Sequence, residues 1–194
     1  MILYKFFFSL LLFVSLALTG CNENVAVISE PTELEGTWKT SCESTNGESY
    51  WISAFSATGN QSSLKHTKYL DSECTMPERS IVKETNFIIS GDIILSTGVT
   101  AKEIDYQNRS DYYIPENDEL TAYLNGKEGC NKKFETGVPM KYSECEKNVE
   151  TNYSMYGIFR ITQNRSLYLS SPNSFEESSR PTKLSDQKYL KIEN

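Results

Sequence analysis

An all-β domain, built as a sandwich or a barrel, is the fold class that this sequence of 194 residues predicts. Short apolar runs, about eight to ten of them, are separated by turn residues at even spacing. No stretch sustains a helical period of apolar residues. Four cysteines beyond residue 21, an even number, add the pattern of a cross-linked exported domain.

The elements follow in order. Gly36 to Cys42 is a short, bounded strand, and Ser49 to Ala57 carries Tyr50, Trp51, Ile52 and Phe55. Ser63 to Leu70 alternates Leu64, His66 and Lys68 against Lys65, Thr67 and Tyr69. Phe87-Ile88-Ile89 and Ile93-Ile94-Leu95 flank Ser90-Gly91-Asp92, which predicts a hairpin turning there. Leu120 to Leu124 is a further strand. Ile158 to Ile161 and Leu167 to Leu169 flank Gln163-Asn164-Arg165, a second hairpin, and Tyr189 to Ile192 closes the domain.

Ahead of the domain, Lys5 precedes an apolar stretch from Phe6 to Leu18, the layout of a secretory signal. That stretch is shorter than the roughly 20 apolar residues of a membrane-spanning helix. It ends in Leu18-Thr19-Gly20-Cys21, which resembles the bacterial lipobox. The resemblance implies a signal peptide over residues 1–20, cleavage before Cys21, and lipid on the Cys21 thiol. Small residues admit the peptide to the processing site, and only a thiol forms the thioether. Two acyl chains, at about 0.8 kcal/mol per buried methylene, hold a protein stably on its bilayer. Asn22 rather than Asp follows the cysteine, which in the enterobacterial sorting pattern implies the outer membrane, facing the periplasm. Residues 21–33 read as the lipidated cysteine and a tether, and 34–194 as one barrel domain.

Loss of residues 1–20 removes only Lys5 among the charged groups, leaving 18 basic against 26 acidic residues, a formal −8. Nucleic acid and anionic headgroups need a basic footprint, so neither is an expected partner. The membrane partner is reached through the N-terminal lipid.

Cys42, Cys74, Cys130 and Cys145 admit three connectivities, and the separations favour Cys42–Cys74 with Cys130–Cys145. Zinc is the rival use, but there is no C-x-x-C pair and His66 is the only histidine. No metal and no cofactor is expected.

The first strand opens Gly36-Thr37-Trp38, and Gly-x-Trp at that place resembles the lipocalin signature. Cys42 stands four residues on, Tyr69-Leu70-Asp71-Ser72-Glu73-Cys74 follows the third strand, and Arg180-Pro181-Thr182-Lys183-Leu184 precedes the last. Together they are similar to small exported bacterial proteins with lipocalin-like barrels, over Gly36 to Ile192. The resemblance implies a single antiparallel barrel of about eight strands, with Trp38 plugging its closed end. It also implies an arginine packed over that indole: Arg180 first, Arg160 second. A guanidinium on an indole contributes about 0.5–2 kcal/mol.

The sequence offers no catalytic constellation. A Ser-His-Asp set could use only His66, no G-x-S-x-G accompanies any serine, and the aspartates lack calcium-loop spacing. His66 reads as a surface or partly packed residue. The twelve tyrosines read mainly as cross-strand packing. Lys102 to Asn117 differs, because Tyr106, Arg109, Tyr112 and Tyr113 mix aromatics with charge in the manner of a binding loop. The other reading of that segment is an elaborated strand and its turn. The expectation is a non-enzymatic envelope lipoprotein that binds an apolar or peptide-like ligand. The alternative is a protein-interaction lipoprotein, an assembly factor or a hydrolase inhibitor, with an envelope protein as partner. A hollow barrel favours the first and a solid one the second.

Overall fold

The computed structural model describes residues 32–193 apart from 46, 128–129, 131, 146–153 and 172–175, and apart from the side chain of Asn108. The expected signal peptide, the lipidation site Cys21 and most of the tether lie outside the described residues. The strands are β1 (Gly36–Lys39), β2 (Glu43–Thr45), β3 (Ser49–Thr58), β4 (Gln61–Tyr69), β5 (Pro77–Ile94) and β6 (Thr100–Pro115). A helix α1 (Asp118–Asn125) follows, then β7 (Met140–Lys141), β8 (Met155–Ile161), β9 (Ser166–Leu169) and β10 (Tyr189–Ile192).

Eight of these strands close a ring in chain order: β1, β3, β4, β5, β6, β8, β9 and β10, with β10 back on β1. Every pairing is antiparallel, and β1 is held on both sides, Trp38 lying opposite Phe55 and opposite Lys191. Closure leaves the ring no unpaired edge. β2 extends the rim beside β3, and β7 pairs with the far end of β6. The all-β barrel of eight strands is therefore the fold, and both favoured disulfides are present, Cys42–Cys74 and Cys130–Cys145.

Alternation fills the barrel. Trp38, Phe55, Phe87, Ile104, Phe159 and Leu167 point inward from six different strands and are all but fully buried. Leu34, just before β1, is completely buried, and its carbonyl accepts the Trp38 indole N–H at 2.8 Å. That bond satisfies the one polar atom the tryptophan brings into the base. Gly36 enters this base at φ 106°, where a Cβ would stand 3.1 Å from Lys191 Cε. Both the left-handed backbone and the tight approach call for glycine.

Four sequence expectations are corrected. Ser90-Gly91-Asp92 is no hairpin turn, since β5 runs on through it to Ile94. The register shifts between Ile89 and Gly91, so the turn-like triplet marks a bulge. The chain reverses further on, where Gly98 adopts φ 77° and Leu95 and Val99 bond across the turn. Leu120 to Leu124 is helix rather than strand. Asn117 caps α1 by accepting the Leu120 N–H at 2.8 Å, and Asp118 and Glu119 complement the positive end of the helix. Lys102 to Asn117 is mostly strand β6 rather than a loop, the elaborated-strand reading of that segment. Its backbone is paired to β5 on one side and to β8 and β7 on the other.

The fourth correction concerns Arg180, which does not reach Trp38. It lies on the outer face of the wall, its guanidinium 2.7 Å from Asp105 and 3.5 Å from Glu103, over the ring of Tyr156. The same group donates to the carbonyl of Gly157 at 3.0 Å. Asp105 and Tyr156 are register partners, so two strands present carboxylates and an aromatic face together, and the cation goes where the anions are. The indole takes Lys191 instead, with Nζ 5.1 Å from the ring centre. Arg160, the second candidate, stands opposite Tyr168 between the inward Phe159 and Ile161, which turns it outward too.

Candidate functional site

Above the apolar base, the barrel interior is not filled. A cavity of about 240 Å³ lies between β3, β4, β5, β6, β8, β9, β10 and the segment leading into β10. Its floor is apolar, made by Phe55, Leu64, Leu169 and the ring of Tyr106. Its upper wall is polar, with His66, Lys83, Arg109, Ser171, Ser185 and Gln187. Met155 and Tyr189 join the two halves.

Register explains the lining. Trp38, Phe55, Leu64, Lys83 and Asp111 stand opposite one another on successive strands, a single inward row running from the base strand to β6. One level up, Ser53 stands opposite His66. Strand alternation alone therefore carries a lysine and a histidine into the barrel.

The polar wall is organised. Tyr189 donates its hydroxyl to Gln187 at 3.1 Å, and the Gln187 amide donates to Glu43 at 3.0 Å and to Ser53 Oγ at 3.4 Å. Ser53 Oγ is 2.8 Å from His66 Nδ1. With Gln187 donating to it, the Ser53 hydroxyl hydrogen is left for Nδ1, which puts the ring proton on Nε2. Burial, and then the charge of Lys83, pull His66 down to about 4, so the ring is neutral at pH 7. Burial, with Glu43 adding to it, pushes Tyr189 up to about 12, and burial likewise raises Tyr106. Ser53 is only 2 % exposed and stands outside the cavity lining, so this Ser-His pair presents no nucleophile to the cavity.

Among the described residues, two cations face the cavity. Arg109 forms a forked ion pair with Asp111, two residues along its own strand, and its Nη1 lies 3.6 Å from Met155 Sδ. Lys83 stands directly opposite Asp111 across the β5–β6 pair. Burial first, and then Arg109, hold its ammonium below the ordinary lysine value, while Asp111 acts in the opposite sense.

The four residues expected to share a binding loop are separated by the strand. Tyr106 and Arg109 come together in the cavity. Tyr113 instead packs edge-on against Phe134 at 6.0 Å and Tyr142 at 6.2 Å, outside the cavity lining. Tyr112 stands opposite Val82 and Lys141 and takes no part in the cavity. His66, read as a surface or partly packed residue, is a wall residue of the cavity. Lys83, Gln187, Ser185 and Tyr189 escaped sequence reasoning. The alternation of Ile81, Lys83, Thr85 and Phe87 was the available signal for the lysine. Among the described residues no three His, Cys, Asp or Glu side chains are grouped to hold a metal ion.

Fold and site together define an up-and-down antiparallel barrel with Trp38 buried in its apolar core and a partly polar cavity beside that core. No protein-family model matches the chain, and no curated protein matches it in sequence.

Proposed function

We propose that this protein is a lipid-anchored envelope protein, non-enzymatic, that holds a small apolar or peptide-like ligand in its barrel. The cavity of about 240 Å³ carries the reading, because its apolar floor and its few convergent polar groups are the pattern of a small-molecule site. Its volume falls below the roughly 300–1,000 Å³ of drug-sized sites, which favours a small ligand or one end of a longer one. The Gly36-Thr37-Trp38 opening and the buried indole support a lipocalin-like kinship. The leader ending in Leu18-Thr19-Gly20-Cys21 supports anchoring through Cys21, and Asn22 supports the outer membrane, facing the periplasm.

Two experiments test this. Native mass spectrometry of protein purified from its own host, followed by organic extraction, should find a small molecule released on unfolding. Finding only bare protein under conditions that preserve known complexes counts against the binding role. Cys21→Ala should leave unprocessed precursor and abolish labelling by a clickable fatty acid. Undiminished labelling removes the anchor.

A second reading, a protein-interaction role as assembly factor or hydrolase inhibitor, has one observation behind it. Outside the barrel cavity, Tyr113, Leu124, Phe134, Met140 and Tyr142 line a mainly apolar recess of about 200 Å³, pinned by the Cys130–Cys145 disulfide. Recovery of a stoichiometric envelope protein lost on Phe134→Ala favours that role.

A further inference from the structure

Resting on the binding reading above, we propose that the cavity takes a small monoanion. Its carboxylate meets Lys83, and its apolar body of roughly eight heavy atoms lies on Phe55, Leu64 and Leu169. The volume sets the size: about 240 Å³ is some eight times the ~30 Å³ share of one liquid water.

The charge follows from an inventory of the groups around the cavity. The Arg109 cation is matched by Asp111 within its own strand, through both carboxylate oxygens. His66 is neutral and offers no counter-charge. Glu43 is held by the Gln187 amide and does not line the cavity. Lys83 has no hydrogen bond or ion pair with any described residue, and Asp111 opposite it is already engaged. Among the described residues that line the cavity, one positive charge is thus left without an ion-pair partner, in a chain of formal charge −7.

That surplus discriminates among occupants. A neutral apolar ligand would strip water from the ammonium and return nothing, which is costly for a half-buried charge. A carboxylate replaces that water with a charge-assisted hydrogen bond. A dianion would bring one negative charge that the cavity leaves unmatched. Geometry fits the monoanion, because Leu64 is the cross-strand neighbour of both Lys83 and Phe55. Head and body contacts are therefore adjacent on one row.

The test compares 3-phenylpropanoate with the isosteric neutral 3-phenylpropanamide on the full chain in nanodiscs, with empty nanodiscs as the blank. Titration calorimetry should show the carboxylate binding about ten-fold tighter, the scale of one charged hydrogen bond. Lys83→Met should erase that preference and leave the amide unaffected, and Lys83→Arg should restore it. Leu169→Trp, which fills the floor, should remove both probes. Equal binding of the two probes to the native protein, lost on Leu169→Trp, overturns the monoanion while the ligand-binding barrel stands. Binding of neither probe overturns both. The comparison on native protein decides the matter even if Lys83→Met fails to fold.

Discussion

The lower and upper halves of the barrel interior are made by the same ring of strands, yet they are filled in opposite ways. In the lower half Leu34, Trp38, Phe87, Ile104, Phe159 and Leu167 bring in a single side-chain polar atom, the indole N–H, which is bonded to the Leu34 carbonyl. In the upper half the same alternation delivers His66, Lys83 and Arg109, with open volume between them. Strand geometry decides that these positions face inward, and side-chain chemistry decides what facing inward does. The base turns burial into stability, at about 1.5–3 kcal/mol for each large apolar side chain. The upper half keeps groups whose burial is unfavourable, as the lowered His66 and Lys83 record.

The largest test of this contrast is Trp38→Ala, which should cost about 3–5 kcal/mol in urea unfolding, as loss of a buried indole does. A cost within about 1 kcal/mol, the range of surface changes, would show that the base is not the keystone of the ring. Coupling sharpens the point. Trp38→Ala and Arg180→Ala should add, because the two residues are not in contact. Trp38→Ala and Lys191→Ala should fall short of additivity by about 0.5–1 kcal/mol, the scale of an exposed cation–π pair.

Next in size is the rim. The Cys42–Cys74 loop spans 32 residues, so replacing both cysteines with serine should cost about 3.7 kcal/mol on the chain-entropy model. Cys130–Cys145, spanning 15, should cost about 3 kcal/mol. If removing the first left the unfolding midpoint unchanged, the rim would be independent of the ring it borders.

The upper half should then reveal itself by pH. His66 lies at about 4 in the folded chain against 6.5 when free. Between those values the unfolded state binds a proton that the folded state does not, so stability rises with pH. Stability is complete above about 6.5 and is lost as pH falls towards 4, by up to about 3 kcal/mol. His66→Gln should flatten the urea midpoint over that window, and an unchanged slope would place the titration elsewhere. Lys83→Met should stay within about 1 kcal/mol of the native protein or exceed it, in contrast to any change at the base. The smallest effect belongs to Asp71. Its carboxylate accepts from the Thr75 hydroxyl, the Thr75 N–H and the Met76 N–H, and these bonds hold it below the ordinary aspartate range. Asp71→Ala should weaken the β4–β5 turn at neutral pH and no longer do so once acid has protonated the native carboxylate.

How much of this was legible varies from residue to residue. Arg180-Pro181-Thr182 could be found in the sequence but not oriented, because its partners Asp105 and Glu103 meet it across 75 or more positions of chain. Leu120 to Leu124 carried its own correction, since an Asn-Asp-Glu start is a helix signal even where the apolar run is short. Lys83 shares a face with Ile81, Thr85 and Phe87, but Val82 and Glu84 on the other face are just as mixed in polarity, so the alternation did not say which face turns inward.

By itself the sequence determined the all-β class and favoured the pairing of its four cysteines, while the burial of Trp38 followed only from the Gly-x-Trp resemblance. The first two depend on local pattern: the period of two and the short loops between cysteines. Only the tertiary structure decided that the ring closes, that Lys191 rather than Arg180 covers the indole, and that a cation is left inside the barrel. Each of these depends on cross-strand register, which brings side chains from distant parts of the chain to one level and which no single strand encodes.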